Sequence, residues 1–232
     1  MNIDGLDFSI LVRVSDPAYA DFNIIMYKGM GKTLKLKGLV TGSKVSFSSN
    51  NKKKVTITSR GKMKAKKIGH TNITVKADGR TFKIWGEISS KRGYRASKKA
   101  IAISKTKTTY SQARRMSKRF YDCSSLVSRV YRKYDVYFGS KSGWSPVAAD
   151  IGKWCTRNHK VIAKKAVSYK KLLPGDLIFF SGWRNGRYKN ITHIEIYTGG
   201  AKDVSASSRY GKVVHYGYGK GNSVVLVARP TK

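Results

Sequence analysis

The sequence is poor in cysteines, acidic residues and long apolar runs, and each shortage excludes a class of protein. No segment has the roughly 18 uninterrupted apolar residues that a membrane helix needs, which excludes an integral membrane protein with stable insertion. Two cysteines among 232 residues do not make a disulfide scaffold. No Cys, His and carboxylate cluster has metal-ligand spacing, so we expect no metal and no other cofactor.

Acidic residues are so scarce that the charge balance is the most unusual property of the chain. Twelve Asp and Glu face 48 Lys and Arg, which gives a formal net charge of +36. The electrostatic field of so many positive charges concentrates polyanions near the protein surface, so nucleic acid, anionic lipid and anionic cell-wall polymers are all candidate partners. Residues 90–232 hold 31 of the bases and 6 of the acids, so the excess is greatest there.

The start of the chain lacks the features of a secretory leader. The segment MNIDGLDFSILVRVSD carries acids where a leader has bases, and it has neither a long apolar stretch nor a small-residue cleavage site. We therefore expect no signal peptide in this chain, and residues 1–21 receive no predicted role.

Residues 22–89 predict an all-β domain. Short runs of alternating apolar and polar residues, bounded by Gly, Asn and Ser, are typical of sandwich strands, and they read NIIMYKG, KTLKLKG, KVSFSS, KVTITS, TNITVKA and TFKIWGEI. This stretch resembles the bacterial immunoglobulin-like domain of group 2. The matching residues are Ser48-Ser49-Asn50, Val55–Ile57, Gly61 with Lys62–Lys67, and Gly69 before Asn72–Ala77. The resemblance implies an immunoglobulin-like sandwich, a module usually found as a spacer or adhesion unit on exported proteins.

The rest of the chain changes character. Residues 90–109 are basic and low in large apolar residues, and we expect a linker there that leads into a helix or an extended arm. Residues 110–232 begin with an amphipathic helical pattern over Ser124–Tyr134. The strand-like segments LLPGDLIFF, ITHIEIYTGG and VVLVARP follow it. One helix followed by antiparallel strands predicts an α+β domain.

Cys123 is the candidate nucleophile. Asp122, Ser124 and Ser125 favour a helix N-cap, and the helical period begins directly after them. The first turn of a helix stabilises an anion, so this position favours the reactive thiolate. The alternative is a small buried core residue, which is the interpretation we give to Cys155.

His193 is the candidate base among four histidines. It stands at the start of a predicted strand, backed by Ile194 and Ile196, where it can meet the helix that carries Cys123. A structural histidine is the alternative. His159 and His215 have polar or glycine-rich neighbours and are weaker candidates.

Three motifs in order resemble the NlpC-type papain-like cysteine peptidases, which act on bacterial cell-wall peptides. They are Asp122-Cys123-Ser124-Ser125-Leu126-Val127, Leu173-Pro174-Gly175-Asp176-Leu177-Ile178-Phe179-Phe180, and Thr192-His193-Ile194-Glu195-Ile196-Tyr197 with Gly199-Gly200. The resemblance implies a papain-like fold with an antiparallel sheet, Cys123 as nucleophile and His193 as general base. It also implies that Tyr110 helps to hold the reacting carbonyl. Two residues depart from the family pattern. Ser125 stands two positions after the cysteine, where the family generally has Gly, and Glu195 stands two positions after the histidine, where the family often has a small residue.

The resemblance also implies a third catalytic residue, a polar group that orients the base, and hairpin geometry suggests where it lies. A hairpin centred on Gly199 places Ser205 opposite His193, and a serine oxygen can accept the imidazole N–H. His215 takes this role if the register differs. In the Pro-Gly-Asp turn, Gly175 allows the tight turn and Asp176 can bind loop N–H groups.

The expected function is therefore a cysteine peptidase of peptidoglycan stem peptides, with an amidase acting through the same residues as a variant. Peptidoglycan and anionic wall polymers are the expected partners, and nucleic acid binds only non-specifically. The expected location is extracellular or in the cell wall, as for a secreted enzyme or a phage-encoded lysin. The alternative is a non-catalytic basic protein that binds cell wall or nucleic acid, favoured by 14 tyrosines interleaved with bases.

Overall fold

The structure is a computed structural model that describes residues 7–11, 22–37, 39, 41–140, 143–219, 221 and 223–231. The chain divides into two compact units, 1–89 and 90–232. Within the described part, every helix is too short or too polar to cross a membrane.

The N-terminal unit consists of eight described strands. They are β1 (Asp7–Leu11), β2 (Phe22–Tyr27), β3 (Gly31–Lys37), β4 (Val45–Ser49), β5 (Val55–Ile57), β6 (Lys62–Ala65), β7 (Gly69–Ala77) and β8 (Arg80–Ser89). They form two four-stranded sheets in the orders β1-β3-β6-β5 and β2-β8-β7-β4. Both sheets contribute buried side chains to one core, among them Ile24, Leu34, Met63, Ile73 and Ile84. The predicted immunoglobulin-like sandwich is confirmed.

Two strands of this unit were not predicted by the alternating runs. β1 lies within residues 1–21 and pairs in parallel with β3, from Asp7 opposite Thr33 to Leu11 opposite Lys37. β6 carries the pattern KMKA, in which Met63 and Ala65 are buried and the two lysines are exposed. Its apolar face is only two residues long, which is too short a period to recognise in isolation.

The described part of the C-terminal unit combines three α-helices with a six-stranded sheet. Its elements are α1 (Lys91–Ser104), β9 (Thr109–Tyr110), β10 (Phe120–Tyr121), α2 (Cys123–Arg132), α3 (Ala148–Arg157), β11 (Val161–Ala163), β12 (Leu177–Phe180), β13 (His193–Gly199), β14 (Lys202–Ser207), β15 (Lys212–Gly217) and β16 (Val224–Ala228). The sheet order is β11-β16-β12-β13-β14-β15, and every neighbouring pair is antiparallel. The predicted α+β fold with an antiparallel sheet is confirmed.

The expected linker over residues 90–109 is wrong for most of its length, because α1 occupies it. Ser90 caps this helix by accepting a hydrogen bond of 3.0 Å from the backbone N–H of Gly93. Ala96 and Ala100 are fully buried in the core of the C-terminal unit. Small residues let a helix pack closely without large apolar side chains, and the absence of large side chains is what made the segment resemble a linker.

The Pro-Gly-Asp turn is fixed by close packing and by its own carboxylate. Gly175 has a φ of +93°, and a Cβ at this position would lie 2.5 Å from the Cα of Gly93. Asp176 accepts a 2.8 Å hydrogen bond from the backbone N–H of Leu173, as predicted, and its two carboxylate oxygens also accept hydrogen bonds from Nε and Nη2 of Arg229. The turn therefore holds the start of α1 against the strand β12 that follows it.

Candidate active site

The first turn of α2 presents Cys123. Asp122 is the N-cap, and its Oδ1 accepts a 2.7 Å hydrogen bond from the Ser125 N–H. The Ser125 hydroxyl accepts in return from the Asp122 N–H at 2.9 Å, which completes a capping box. Cys123 is the first residue of the helix and retains 8% exposure. Ser125, which replaces the family's glycine, is thus part of the cap that starts the helix.

Arg115 supports this helix start, and the sequence analysis missed it. Its Nη1 lies 2.8 Å from Asp122 Oδ2 in a buried ion pair, and its Nη2 donates to the carbonyls of Ser145 and Pro146. Arg115 therefore ties the cap of α2 to the loop before α3. It stands outside every motif, and only the exceptional burial of a guanidinium reveals its role.

Tyr110 lies beside the thiol through a short strand pair. β9 and β10 are parallel, and Tyr110 is the partner of Tyr121, two residues before Cys123. Burial raises the pKa of the Tyr110 hydroxyl, and the negative charge of Cys123 raises it further. The hydroxyl is thus a proton donor at neutral pH, close enough to Cys123 to feel its charge.

His193 is brought together with Cys123, as the sequence suggested. It is the first residue of β13, its Nε2 lies 3.2 Å from Glu195 Oε1, and Cys123 is close enough to influence its pKa. Burial lowers the pKa of His193, but the hydrogen bonds and negative charges of these two groups outweigh it and raise the pKa to about 10. The imidazole is therefore protonated at neutral pH.

The expected position of Ser205 opposite His193 is wrong. β13 and β14 pair Ile196 with Val204 and Tyr197 with Asp203, and the register shifts next to the turn. The hairpin is therefore centred one residue later than Gly199, which moves every cross-strand partner by two positions. Ser205 lies instead 3.0 Å from the hydroxyl of Tyr216.

His215 does not replace Ser205 as the partner of His193. Its Nε2 lies 3.0 Å from the hydroxyl of Thr198. Partial burial lowers the pKa of His215, and the positive charges of Lys202, Lys105 and Lys98 lower it further. The two histidines of this sheet therefore have opposite electrostatic surroundings.

Two buried acidic residues, Glu195 and Asp203, lie near His193. The Tyr216 hydroxyl donates a hydrogen bond to Glu195 Oε1, the oxygen that also faces His193. Asp203 is fully buried, and neither of its carboxyl oxygens has a hydrogen-bond partner among the described residues. Burial and the charge of Glu195 raise the pKa of Asp203 to about 9, so it is neutral at pH 7.

Cys155 has the surroundings of a structural residue. It is fully buried in the same core as Ala149 and Ile151, and neither it nor Cys123 forms a disulfide. Burial raises the pKa of the Cys155 thiol to about 12, although Lys160 opposes the shift. In the described part of the chain, no three His, Cys, Asp or Glu side chains are grouped to hold a metal ion.

The C-terminal unit separates its charges between interior and surface. Four of its six acids are buried: Asp122, Asp176, Glu195 and Asp203. Asp135 and Asp150 are exposed. Among the bases that the structure describes in this unit, Arg115 alone is buried. The solvent-facing surface is therefore even more cationic than the composition implies.

Comparisons with known proteins follow the same division of the chain. The sequence model of the NlpC/P60 family matches residues 107–223, and that of the bacterial Ig-like domain (group 2) matches residues 27–88. No curated protein matches the chain.

Several solved structures are similar to the chain. NlpC2 from Trichomonas vaginalis is 18% identical, with a TM-score of 0.45 over 82% of this chain and 70% of that one. The P60 domain of an antigen from M. avium subspecies paratuberculosis is 18% identical, with a TM-score of 0.40 over 60% of this chain and 98% of that one. The peptidoglycan hydrolase RipB from Mycobacterium tuberculosis is 19% identical, with a TM-score of 0.40 over 61% and 67%.

Proposed function

The chain belongs to the NlpC/P60 family, and on that basis we propose that it is a cysteine hydrolase of amide bonds in peptidoglycan stem peptides. The observation that carries the proposal is the proximity of Cys123, at the start of α2, to His193, at the start of β13, which is close enough for the thiol to raise the pKa of the imidazole. A thiol and an imidazole in contact form the minimal unit for nucleophilic acyl transfer.

The first half of the reaction is acylation of Cys123. The thiolate attacks the carbonyl carbon, a carbon–sulfur bond forms, and the carbonyl electron pair moves to the oxygen. The backbone N–H groups of Cys123 and Ser124, together with the Tyr110 hydroxyl, are the donors that we assign to this oxyanion. When the oxyanion collapses, the carbon–nitrogen bond breaks, and the imidazolium of His193 gives its proton to the leaving amine.

The second half of the reaction releases the acyl group. Neutral His193 removes a proton from water, which attacks the thioester carbonyl. The carbon–sulfur bond then breaks, and the carboxylic acid product leaves. Cys123 returns to the thiolate and His193 to the imidazolium, which is the form that its raised pKa favours. Ser205 is separated from this proton transfer by Tyr216 and Glu195, so we assign it no contact with the substrate.

The cationic surface of the C-terminal unit acts in this proposal as a wall anchor. Phosphate-rich wall polymers carry many negative charges. Because most acidic side chains of this unit are buried, few carboxylates on its surface neutralise the Lys and Arg that attract these polymers. The same chemistry makes nucleic acid a non-specific competitor. These partners place the protein in the cell wall or outside the cell.

Mass spectrometry of digested peptidoglycan tests the hydrolase and names the bond that is cut. Full-length protein is incubated with purified walls, with Cys123→Ala as the inactive control. We expect new stem-peptide amines and carboxylates for an endopeptidase, or sugar chains freed of peptide for an amidase, and neither with Cys123→Ala. Equal fragment release by both proteins contradicts Cys123 as the nucleophile. Release by neither favours the non-catalytic wall binder.

Salt dependence tests the anchor separately from the chemistry. Binding to intact walls should fall steeply between 50 and 300 mM NaCl (roughly 10-fold or more), because each released counterion adds to the salt slope. Turnover of a short uncharged stem-peptide substrate should change by less than about twofold over the same range. Equal salt sensitivity in the two assays contradicts the anchoring role.

A further inference from the structure

The imidazole of His193 is contacted at Nε2 by a carboxylate on its own strand, rather than by a residue on the neighbouring strand. His193 Nε2 and Glu195 Oε1 are 3.2 Å apart, and the Glu195 side chain is 7% exposed. We propose that Glu195 is the positioning residue that orients and charges His193, in the role for which the hairpin geometry suggested Ser205. This inference rests on the proposed function in that it names a further residue of the same site.

The geometry of β13 explains why a glutamate can do this. Residues two apart on a strand project from the same face, with their Cβ atoms roughly 6–7 Å apart. The three-bond side chain of Glu195 spans that gap and brings its carboxylate beside the imidazole. A small residue at this position, which is frequent in the family, cannot reach His193.

The carboxylate is itself held in place from the neighbouring strands. Tyr216 on β15 donates its hydroxyl hydrogen to Glu195 Oε1, and Ser205 on β14 is hydrogen-bonded to the same hydroxyl at 3.0 Å. A continuous chain of contacts therefore runs from Ser205 through Tyr216 and Glu195 to His193. Ser205 is therefore connected to His193 indirectly, through Tyr216 and Glu195, rather than as the direct partner that was expected.

The acidic groups near Glu195 stay neutral at pH 7, so they do not repel its negative charge. Asp203 faces it from β14 but retains its proton at neutral pH, because burial and Glu195 itself raise the Asp203 pKa to about 9. Tyr216 and Tyr218 also feel the charge of Glu195, and both have raised pKa values, so both hydroxyls stay neutral. Cys123 and Glu195 are therefore the two groups whose negative charges raise the pKa of His193.

The test compares the titration of His193 in full-length wild type, Glu195→Gln and Glu195→Asp. Imidazole carbon resonances are followed by NMR, and the His193 signal is assigned by its loss in His193→Gln. Asp150→Asn, which removes one exposed carboxylate on α3, is the matched control. We expect the His193 midpoint to fall by about 1 unit or more in Glu195→Gln. It should fall less in Glu195→Asp, which retains the charge on a shorter side chain, and stay unchanged in Asp150→Asn.

Activity gives the second readout. Turnover of the peptidoglycan substrate should fall about 100-fold in Glu195→Gln through kcat, with KM little changed, and Glu195→Asp should recover part of it. The falling alkaline limb of kcat should also move to lower pH in both variants. An unchanged His193 midpoint in Glu195→Gln overturns the inference. If Glu195→Gln does not fold, an unchanged midpoint in Glu195→Asp overturns it equally.

The NMR readout keeps this inference separate from the proposed function, because it needs no substrate. A midpoint that falls in Glu195→Gln, in a protein that releases no wall fragments, supports the pairing and contradicts the hydrolase. A hydrolase whose midpoint and kcat are indifferent to Glu195→Gln supports the proposed function and overturns the positioning role.

Discussion

The two cysteines of the C-terminal unit lie near opposite ends of two ten-residue helices, and their surroundings differ. Cys123 opens α2, next to His193, whereas Cys155 is near the end of α3 with apolar neighbours. Both thiols are free and buried. Burial therefore does not distinguish them, and the direction of the helix does: N–H groups converge at the first turn and carbonyl groups at the last.

The proposed reactivity of Cys123 therefore depends on its neighbours rather than on access to solvent. At the start of α2 the capping box fixes the backbone, and an imidazolium supplies positive charge. At Cys155, Lys160 is the charged group among the described residues that lowers the thiol pKa, and it does not overcome burial, so the pKa of that thiol is about 12. Four experiments test this difference between the two thiols, and the first has the largest expected effect.

Alkylation by iodoacetamide at pH 7 should separate the two thiols by about 1,000-fold in rate, because only a thiolate reacts. Peptide mass spectrometry of the native protein measures the label at each position over time. Cys155→Ala should leave the fast phase intact, and Cys123→Ala should remove it. Similar rates at both positions would refute the assignment of Cys123 as the activated thiol.

Substitution of the acid at the start of each helix, the N-cap Asp122 of α2 and Asp150 in the first turn of α3, should have unequal effects on the two helices. Asp122→Asn leaves Arg115 as an unpaired buried charge and should lower the free energy of unfolding by about 3 kcal/mol. Asp150→Asn in the first turn of α3 should cost about 0.5 kcal/mol, since that carboxylate is exposed. Urea unfolding followed by tryptophan fluorescence measures both. Equal losses would show that the Arg115 pair does not stabilise the start of α2.

The pH dependence of stability should change in a different window at each site. His193 has a folded pKa raised from 6.5 to about 10, so its stabilising effect is full below about pH 6.5 and is lost as the pH rises to about 10. The difference in free energy of unfolding between wild type and His193→Gln should therefore shrink by about 2 kcal/mol across that window, given the partial exposure of the side chain.

Cys155 supplies the contrasting window. Its folded pKa is raised from 9.0 to about 12, so its effect is full below about pH 9 and is lost above that. The difference between wild type and Cys155→Ala should stay constant from pH 6 to 9 and shrink only at higher pH. Urea titrations at pH 6, 8 and 10 test both windows. A change below pH 9 in the Cys155→Ala series would contradict the assignment.

Simple truncation of each thiol should produce the smallest effect. Cys155→Ala leaves a void in a fully buried core and should lower the free energy of unfolding by about 1 kcal/mol. In a His193→Gln background, where the charge interaction with His193 is already absent, Cys123→Ala should change it by less than about 0.5 kcal/mol, because the cap of α2 does not use the thiol. Thermal unfolding of the two variants gives the comparison. A greater loss at Cys123 would indicate that the thiol is structural.

Sequence patterns predicted those features that depend on neighbouring residues. The start of α2 could be predicted because cap and helical period are both local, and the sandwich strands because their alternation is local. The turn at Gly175 was recognisable for the same reason. α1 was missed because its buried stripe consists of Ala and Ser, which carry little apolar signal.

Features that depend on distant contacts could not be predicted in the same way. Arg115 pairs with Asp122 and with a loop 30 residues further along, and nothing local marks it. The partner of His193 was misassigned because a one-residue change in the centre of a hairpin moves every pair by two. Glu195 was visible as a departure from the family pattern, but its reach along the strand becomes clear only with coordinates.

The concealment of carboxylates in the C-terminal unit has a consequence for how the protein responds to acidification. Only two of its six acidic side chains meet solvent, so between neutrality and pH 5 there is little on the outside to titrate apart from the histidines. Its attraction to a polyanion should therefore be governed by ionic strength and be almost blind to mild acid. A wall environment that acidifies would retain the protein, whereas one that becomes salty would release it.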